Sequence, residues 1–268
     1  MMSKTLIIFV NWFMLIAMIT VNALANALPI NGHNTGDISD MYPNLFVPAG
    51  FTFGIWGFIY LLLILHVIYS GYILNHQNRS TNEIGSLVKK LNPLFWVTCI
   101  LNISWILAWQ YLFIWLSVAI MIALFITLFV IFAIITKADR DIALGYMEHI
   151  SLETPFIIYF SWIAVALIAN VTALLVSEGF TPANESTWAS IMITIAGVIG
   201  VSLSLFWHRP AYTAVIIWAL IGIYSKQAGQ SALVANTAIV ASICCLVAGG
   251  VGFWYKRKLL FRSSVQVH

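Results

Sequence analysis

Phe53, Trp56 and Tyr60 stand at i, i+3 and i+7, the spacing that lines side chains along one face of an α-helix. Asn102, Trp105 and Trp109 repeat the arrangement, and Tyr159, Trp162, Ala166 and Asn170 carry it on at steps of three and four. Each stripe joins an indole to a group that forms hydrogen bonds. Such side chains offer flat apolar faces and a few fixed polar partners, the lining expected of a site for a hydrophobic, aromatic-compatible small molecule. They offer no nucleophile and no general base. The chain also lacks a phosphate-binding loop, an HExxH pair and a serine elbow, so the reading is a binding protein with no catalytic residue and no enzyme chemistry. One stripe alone serves equally well as helix packing, but three together favour a shared aromatic cavity.

The remaining polar candidates have plainer readings. His66 lies within an apolar run and reads as a hydrogen-bonded structural histidine or a ligand contact. His33, Asp37 and Asp40 read as a solvated loop, with cation binding as the alternative, and Glu148, His149 and Glu153 as a solvated edge available to a partner. Lys226 closes an apolar run and snorkels to the interface, since no carboxylate lies at membrane depth to pair with it. Cys99, Cys244 and Cys245 all fall in apolar runs, where they pack as small apolar residues. No metal-ligand spacing and no cofactor motif is present.

The elements that must position the stripes are membrane helices. Lys and Arg number 12, Asp and Glu 9, in 268 residues, and none lies inside a long apolar run. Residues 93–136 carry no charge at all. A span takes about 20 apolar residues, so the fold class is all-α, a polytopic integral membrane bundle. About eight spans are expected: Thr5–Ala27, Ala49–Leu74, Pro93–Phe113, Leu116–Thr136, Pro155–Val176, Thr187–Trp207, Pro210–Ala228 and Ser231–Tyr255. Pro93, Pro155 and Pro210 suit first-turn positions, where the missing N–H costs nothing. With both termini cytoplasmic, every Lys and Arg except Lys226 faces the cytoplasm: Lys4, Arg79, Lys89, Lys90, Lys137, Arg140, Arg209, Lys256, Arg257, Lys258 and Arg262. The net charge of +3 is therefore a topology signal and an anionic-lipid contact, not a nucleic-acid surface. Ion-coupled transporters and voltage sensors place charges at membrane depth, and this chain places none there.

The first span carries Asn11 and Trp12, which suit helix packing; a secretory signal ending near Ala23-Leu24-Ala25 is the competing reading. The loop 28–48 holds Pro29, Gly32, Gly36, Pro43 and Pro48 and reads as an irregular outer lid. Trp96, Trp115, Trp188, Trp207 and Trp254 near span ends read as an interfacial belt, whereas Trp12, Trp56, Trp105, Trp162 and Trp218 lie mid-span and must find partners for their N–H groups.

The stripes also carry a resemblance. Val47-Pro48 through Phe53-Gly54, with Trp56 and Tyr60, resembles the second helix of the tryptophan-rich sensory protein family, which includes the mitochondrial translocator protein. Leu101-Asn102 with Trp105 resembles its third-helix motif, and Ser161-Trp162, Ala166 and Asn170 its fifth. Pro48 stands alone where the family usually has a Pro-Pro pair, and about three helices follow the usual five. The resemblance thus implies a five-helix bundle over residues 1–176 and an added three-helix segment over 177–268. It implies a ligand of tetrapyrrole or sterol type, bound between helices two, three and five for sensing or translocation, a tetrapyrrole being ligand and not resident cofactor. Phe53, Trp56, Tyr60, Asn102, Trp105, Trp109, Tyr159, Trp162 and Asn170 are the candidate ligand-binding residues. The expected setting is the plasma (inner) membrane, with lipid and a hydrophobic small molecule as partners, no nucleic acid, and room for a homo-oligomer. A secondary transporter of a neutral solute, with Gly249-Gly250 and Gly252 as a flexible helix, and a ligand-free structural protein are the alternatives.

Overall fold

A computed structural model describes residues 2–28, 30–80, 82–207 and 211–265, with backbone alone for residues 77, 80 and 256–265. Pro29, Arg209 and Pro210 fall outside the described residues, as do the side chains of Lys256, Arg257, Lys258 and Arg262. The described residues form helices and turns: α1 (Lys4–Ala27), α2 (Thr35–Asp40), α3 (Ile55–Asn75), α4 (Gln77–Ser80), α5 (Glu83–Gln110), α6 (Ile114–Ile142), α7 (Tyr146–Glu148), α8 (Thr154–Ser177), α9 (Glu185–Trp207), α10 (Ala211–Gln227) and α11 (Ala232–Val265). A 3-10 turn, Gly50–Gly54, leads into α3, and a π-helical turn, His149–Glu153, leads into α8. Among the described residues seven helices are long and apolar enough to cross a membrane. The remaining expected span is α10, whose 17 residues sit at the lower limit of about 17 for a crossing.

Pro93 sits differently from the first-turn expectation, whereas Pro155 lies in the first turn of its helix. α5 begins at Glu83, so Pro93 lies inside the helix. The charged stretch before it is helical because Asn82 caps it, its side chain accepting from Gly85 N at 3.0 Å. Pro155 is the second residue of α8, separated from the π turn by Thr154 alone. A proline has no N–H for the carbonyl four residues back, here Ser151, and His66 Nδ1 donates to that oxygen at 3.2 Å. His66 is fully buried between Phe95 and Phe156, at 5.3 and 4.7 Å between ring centroids, which supports the structural reading of this residue.

The chain packs as two units. The first comprises Met1–Tyr42 and Ile55–Ile163, the second Pro43–Gly54 and Ala164–His268. This division does not coincide with the boundary at 176–177 drawn from the sequence. In the first unit α1, α3 and α5 are joined by a buried amide network. Asn11 Nδ2 donates to Ser70 Oγ at 3.2 Å and Asn92 Oδ1 at 3.1 Å, and Trp96 Nε1 donates to Asn11 Oδ1 at 2.6 Å. In an apolar medium such groups must be satisfied within the protein, which fixes helix register as well as affinity. Trp96 is thereby a packing residue, not only part of an interfacial belt.

In the second unit α9, α10 and α11 approach closely through small residues. A Cβ on Gly252 would meet Ser204 O at 2.7 Å, and one on Gly249 would meet Thr213 Oγ1 at 2.6 Å. Gly249 and Gly252 of α11 are thus sites of close helix contact. The segment 43–54 is fastened to α10: Ala49 N donates to Gly222 O at 3.0 Å, and Trp218 Nε1 to Thr52 O at 2.9 Å. The mid-span indole of Trp218 thus finds the partner it needs.

Candidate ligand-binding site

Trp56 is the centre of an aromatic cluster within the first unit. Tyr60, one turn along α3, lies 5.9 Å away and nearly parallel at 25°, because i and i+4 share a helix face. Trp105 of α5 lies 6.2 Å away at 26°, so two rings run roughly parallel to the central indole. Tyr159 and Trp162 of α8 meet it edge-on, at 5.8 and 6.3 Å and at 71° and 87°. Trp109 continues the row, 6.3 Å from Trp105, with its Nε1 donating to Thr35 O of α2 at 3.2 Å. Parallel neighbours on some sides and edge-on neighbours on others match the preferences set by ring quadrupoles.

The members differ in access. Trp105, Tyr159 and Trp162 are buried, at 7%, 0% and 2% exposure, whereas Trp56 and Tyr60 are half-buried. Tyr60 Oη is buried and has no hydrogen-bond partner among the described residues. A buried hydroxyl without a partner costs about 1–3 kcal/mol, so the cluster holds one donor suited to a polar atom of a bound molecule. Asn102 is used differently. Its Nδ2 donates to Tyr159 Oη at 3.0 Å, and its Oδ1 accepts from Asn22 Nδ2 at 2.6 Å. Fully buried and occupied on both ends, Asn102 orients Tyr159 and ties α1 to the cluster.

Seven candidate residues are therefore linked in one place: Trp56, Tyr60, Asn102, Trp105, Trp109, Tyr159 and Trp162. Phe53 and Asn170 belong to the second unit. Phe53 lies in the 3-10 turn before α3, where the α-helical spacing to Trp56 no longer applies, and Asn170 is buried on α8. Asn22 had no signal in the aromatic spacing; it shares the face of α1 with Asn11 and Met18, a polar i, i+4, i+7, i+11 pattern broken by one methionine and one leucine.

Two features outside the stripes are visible only in three dimensions. In the second unit a cavity of about 220 Å³ is lined by residues that include Phe46, Leu175, Phe180, Glu185 and Trp188. In the first unit the presumed solvated edge is folded inward. Glu153 is 3% exposed, Tyr69 Oη donates to Glu148, and His149 lies between Asp139 and Glu153. In the loop 31–42, Asn34 and Asp37 form a reciprocal cap on α2, so Asp37 serves the helix start, and part of the expected irregular lid is helical.

A family model described as TSPO-like protein matches residues 7–251. No curated protein and no solved structure matches the chain. The match spans the helices that carry the three stripes and runs through α9, α10 and most of α11, which the sequence had set apart as an addition. Helical in most of its described residues, apolar enough for several crossings and matched over most of its length, the chain belongs to the TSPO-like family of multi-pass membrane proteins.

Proposed function

We propose that the Trp56 cluster binds a hydrophobic, planar molecule of tetrapyrrole or sterol-like class, for sensing or translocation in the plasma membrane and without enzymatic turnover. One observation carries this reading: a half-buried indole faced by two parallel rings and two ring edges, beside a buried tyrosine hydroxyl with no partner among the described residues. A planar ligand would take the place of one ring in the stack and accept from Tyr60 Oη. Family membership is compatible with it, because the stripes that build the cluster are those that resemble the tryptophan-rich sensory proteins. On this reading Trp56, Tyr60, Trp105, Tyr159 and Trp162 touch the ligand, and Asn102 positions Tyr159.

Titration of the purified protein with protoporphyrin IX, followed by tryptophan fluorescence, tests the proposal. Saturable quenching is expected, with affinity reduced about two- to tenfold in Trp105→Ala and Trp162→Ala, the worth of one aromatic pair at about 0.5–1.5 kcal/mol. Unsaturable quenching that is the same in wild type and both variants would sink the reading for this ligand class. The near-complete burial of Trp105, Tyr159 and Trp162 favours a second reading, in which the rings are helix contacts alone. Thermal denaturation in detergent separates the two, since stabilisation by protoporphyrin IX that is lost in Trp105→Ala and Trp162→Ala excludes a purely structural cluster.

A further inference from the structure

We propose that Asp139, His149 and Glu153 form a binding site for a divalent transition-metal ion of the zinc class. The three residues come from two elements, the end of α6 and the π turn before α8, and each offers a donor atom within 4.8 Å of the others. Their side chains are only 22%, 18% and 4% exposed, so this is a recessed cluster and not a solvated fringe. His149 Nδ1 is hydrogen-bonded to the Glu153 carboxylate, which leaves Nε2 facing Asp139 Oδ1 at 3.5 Å. That separation is long for a charge-assisted hydrogen bond, which runs about 2.7–2.9 Å. It suits an ion held between the two atoms: bonds of about 2.0–2.1 Å to each would subtend about 115°, close to tetrahedral.

The surroundings fix both donors. Ala143 closes α6 in the left-handed region, at φ 47°, and this turn brings Leu144 N to Asp139 Oδ1 at 3.3 Å. Thr154 Oγ1 donates to His149 O at 2.9 Å, holding the π turn in register. The i, i+4 spacing of His149 and Glu153 places a carboxylate on the ring nitrogen away from Asp139, the arrangement by which outer-shell carboxylates orient metal-binding histidines. Helix segments of the π type recur at functional sites. An imidazole with carboxylate selects borderline ions such as Zn²⁺ and Co²⁺ over Mg²⁺, which prefers oxygen alone. The ion is bound by His149 Nε2 and Asp139, water completes its shell, and Glu153 holds the ring.

Tag-free full-length protein in detergent, titrated with Co²⁺ and read by visible d–d absorption, tests the site. A saturable band is expected, displaced by Zn²⁺ and unaffected by Mg²⁺. It should vanish in His149→Gln and in Asp139→Asn, whereas Glu153→Gln should weaken binding about 10–100-fold without abolishing it. Melting of each variant without metal reports whether it folds, and either His149→Gln or Asp139→Asn, if folded, suffices to read the result. No saturable band in the wild type, or a band that survives His149→Gln or Asp139→Asn, overturns the site and leaves an internal carboxylate–histidine ion triad. Wild-type affinity in Glu153→Gln overturns the orienting role of Glu153.

Discussion

Single side chains in this protein do two kinds of work that the same residue types conceal. Asn102 and Tyr60 both belong to the aromatic cluster, yet Asn102 spends both ends of its amide on neighbours while Tyr60 Oη has no partner among the described residues. If the cluster binds a ligand as proposed, Tyr60→Phe should weaken protoporphyrin binding by about the 0.5–1.5 kcal/mol of one hydrogen bond, with the fold unchanged. Fluorescence titration beside a thermal melt reads both quantities. His66 shows the structural kind, because its Nδ1–H serves the Ser151 carbonyl that Pro155 cannot serve. His66→Phe should cost about 1–3 kcal/mol in thermal unfolding. The cost should shrink in a Pro155→Ala background, where the residue at 155 regains an N–H. An equal cost in both backgrounds would show that the two residues are not coupled.

Between elements, the decisive contact is the fastening of segment 43–54 to α10. Gly222 is the close-approach point: a Cβ there would meet Thr52 Oγ1 at 1.9 Å and Pro48 Cβ at 3.0 Å. Gly222→Val should therefore lower stability by about 1–3 kcal/mol through overpacking, whereas Gly229→Val, with open space around its Cα, should not. Comparative melts in detergent decide this. The order of the spans makes a second prediction at this scale. The distribution of Lys and Arg predicts that the loop 28–48 lies outside and the segment around Ser86 inside. After replacement of Cys99, Cys244 and Cys245, a Ser39→Cys variant should react with an impermeant maleimide in intact cells and a Ser86→Cys variant should not. The reverse pattern would invert the topology.

For the molecule as a whole, the question is whether the last helices are an appendage. The family match runs to residue 251, and the segment carrying Val47-Pro48 through Phe53-Gly54 packs with the unit that contains α9, α10 and α11. A fragment of residues 1–176 would lose Gly222 O and Trp218 as partners for that segment. It should give less monodisperse protein in detergent and melt below the full chain. A fragment as stable as the full chain would establish the five-helix core as an independent domain.

Composition and periodicity by themselves determined the membrane class, the helical fold and nearly all the spans, because a bilayer admits so few backbone solutions that length and hydropathy select among them. They also brought Trp56, Tyr60, Trp105, Trp109, Tyr159 and Trp162 into consideration, since helical spacing fixes which residues share a face. Facing between helices is another matter. Which stripes meet depends on helix rotation and on buried amide pairs such as Asn22 with Asn102, whose two members lie 80 residues apart in sequence. Phe53 lost its α-helical register to a 3-10 turn, a local change in rise and rotation that hydropathy does not record. The inward fold of His149 and Glu153 arose from a π turn next to Pro155, and only the tertiary structure sets Asp139 opposite them.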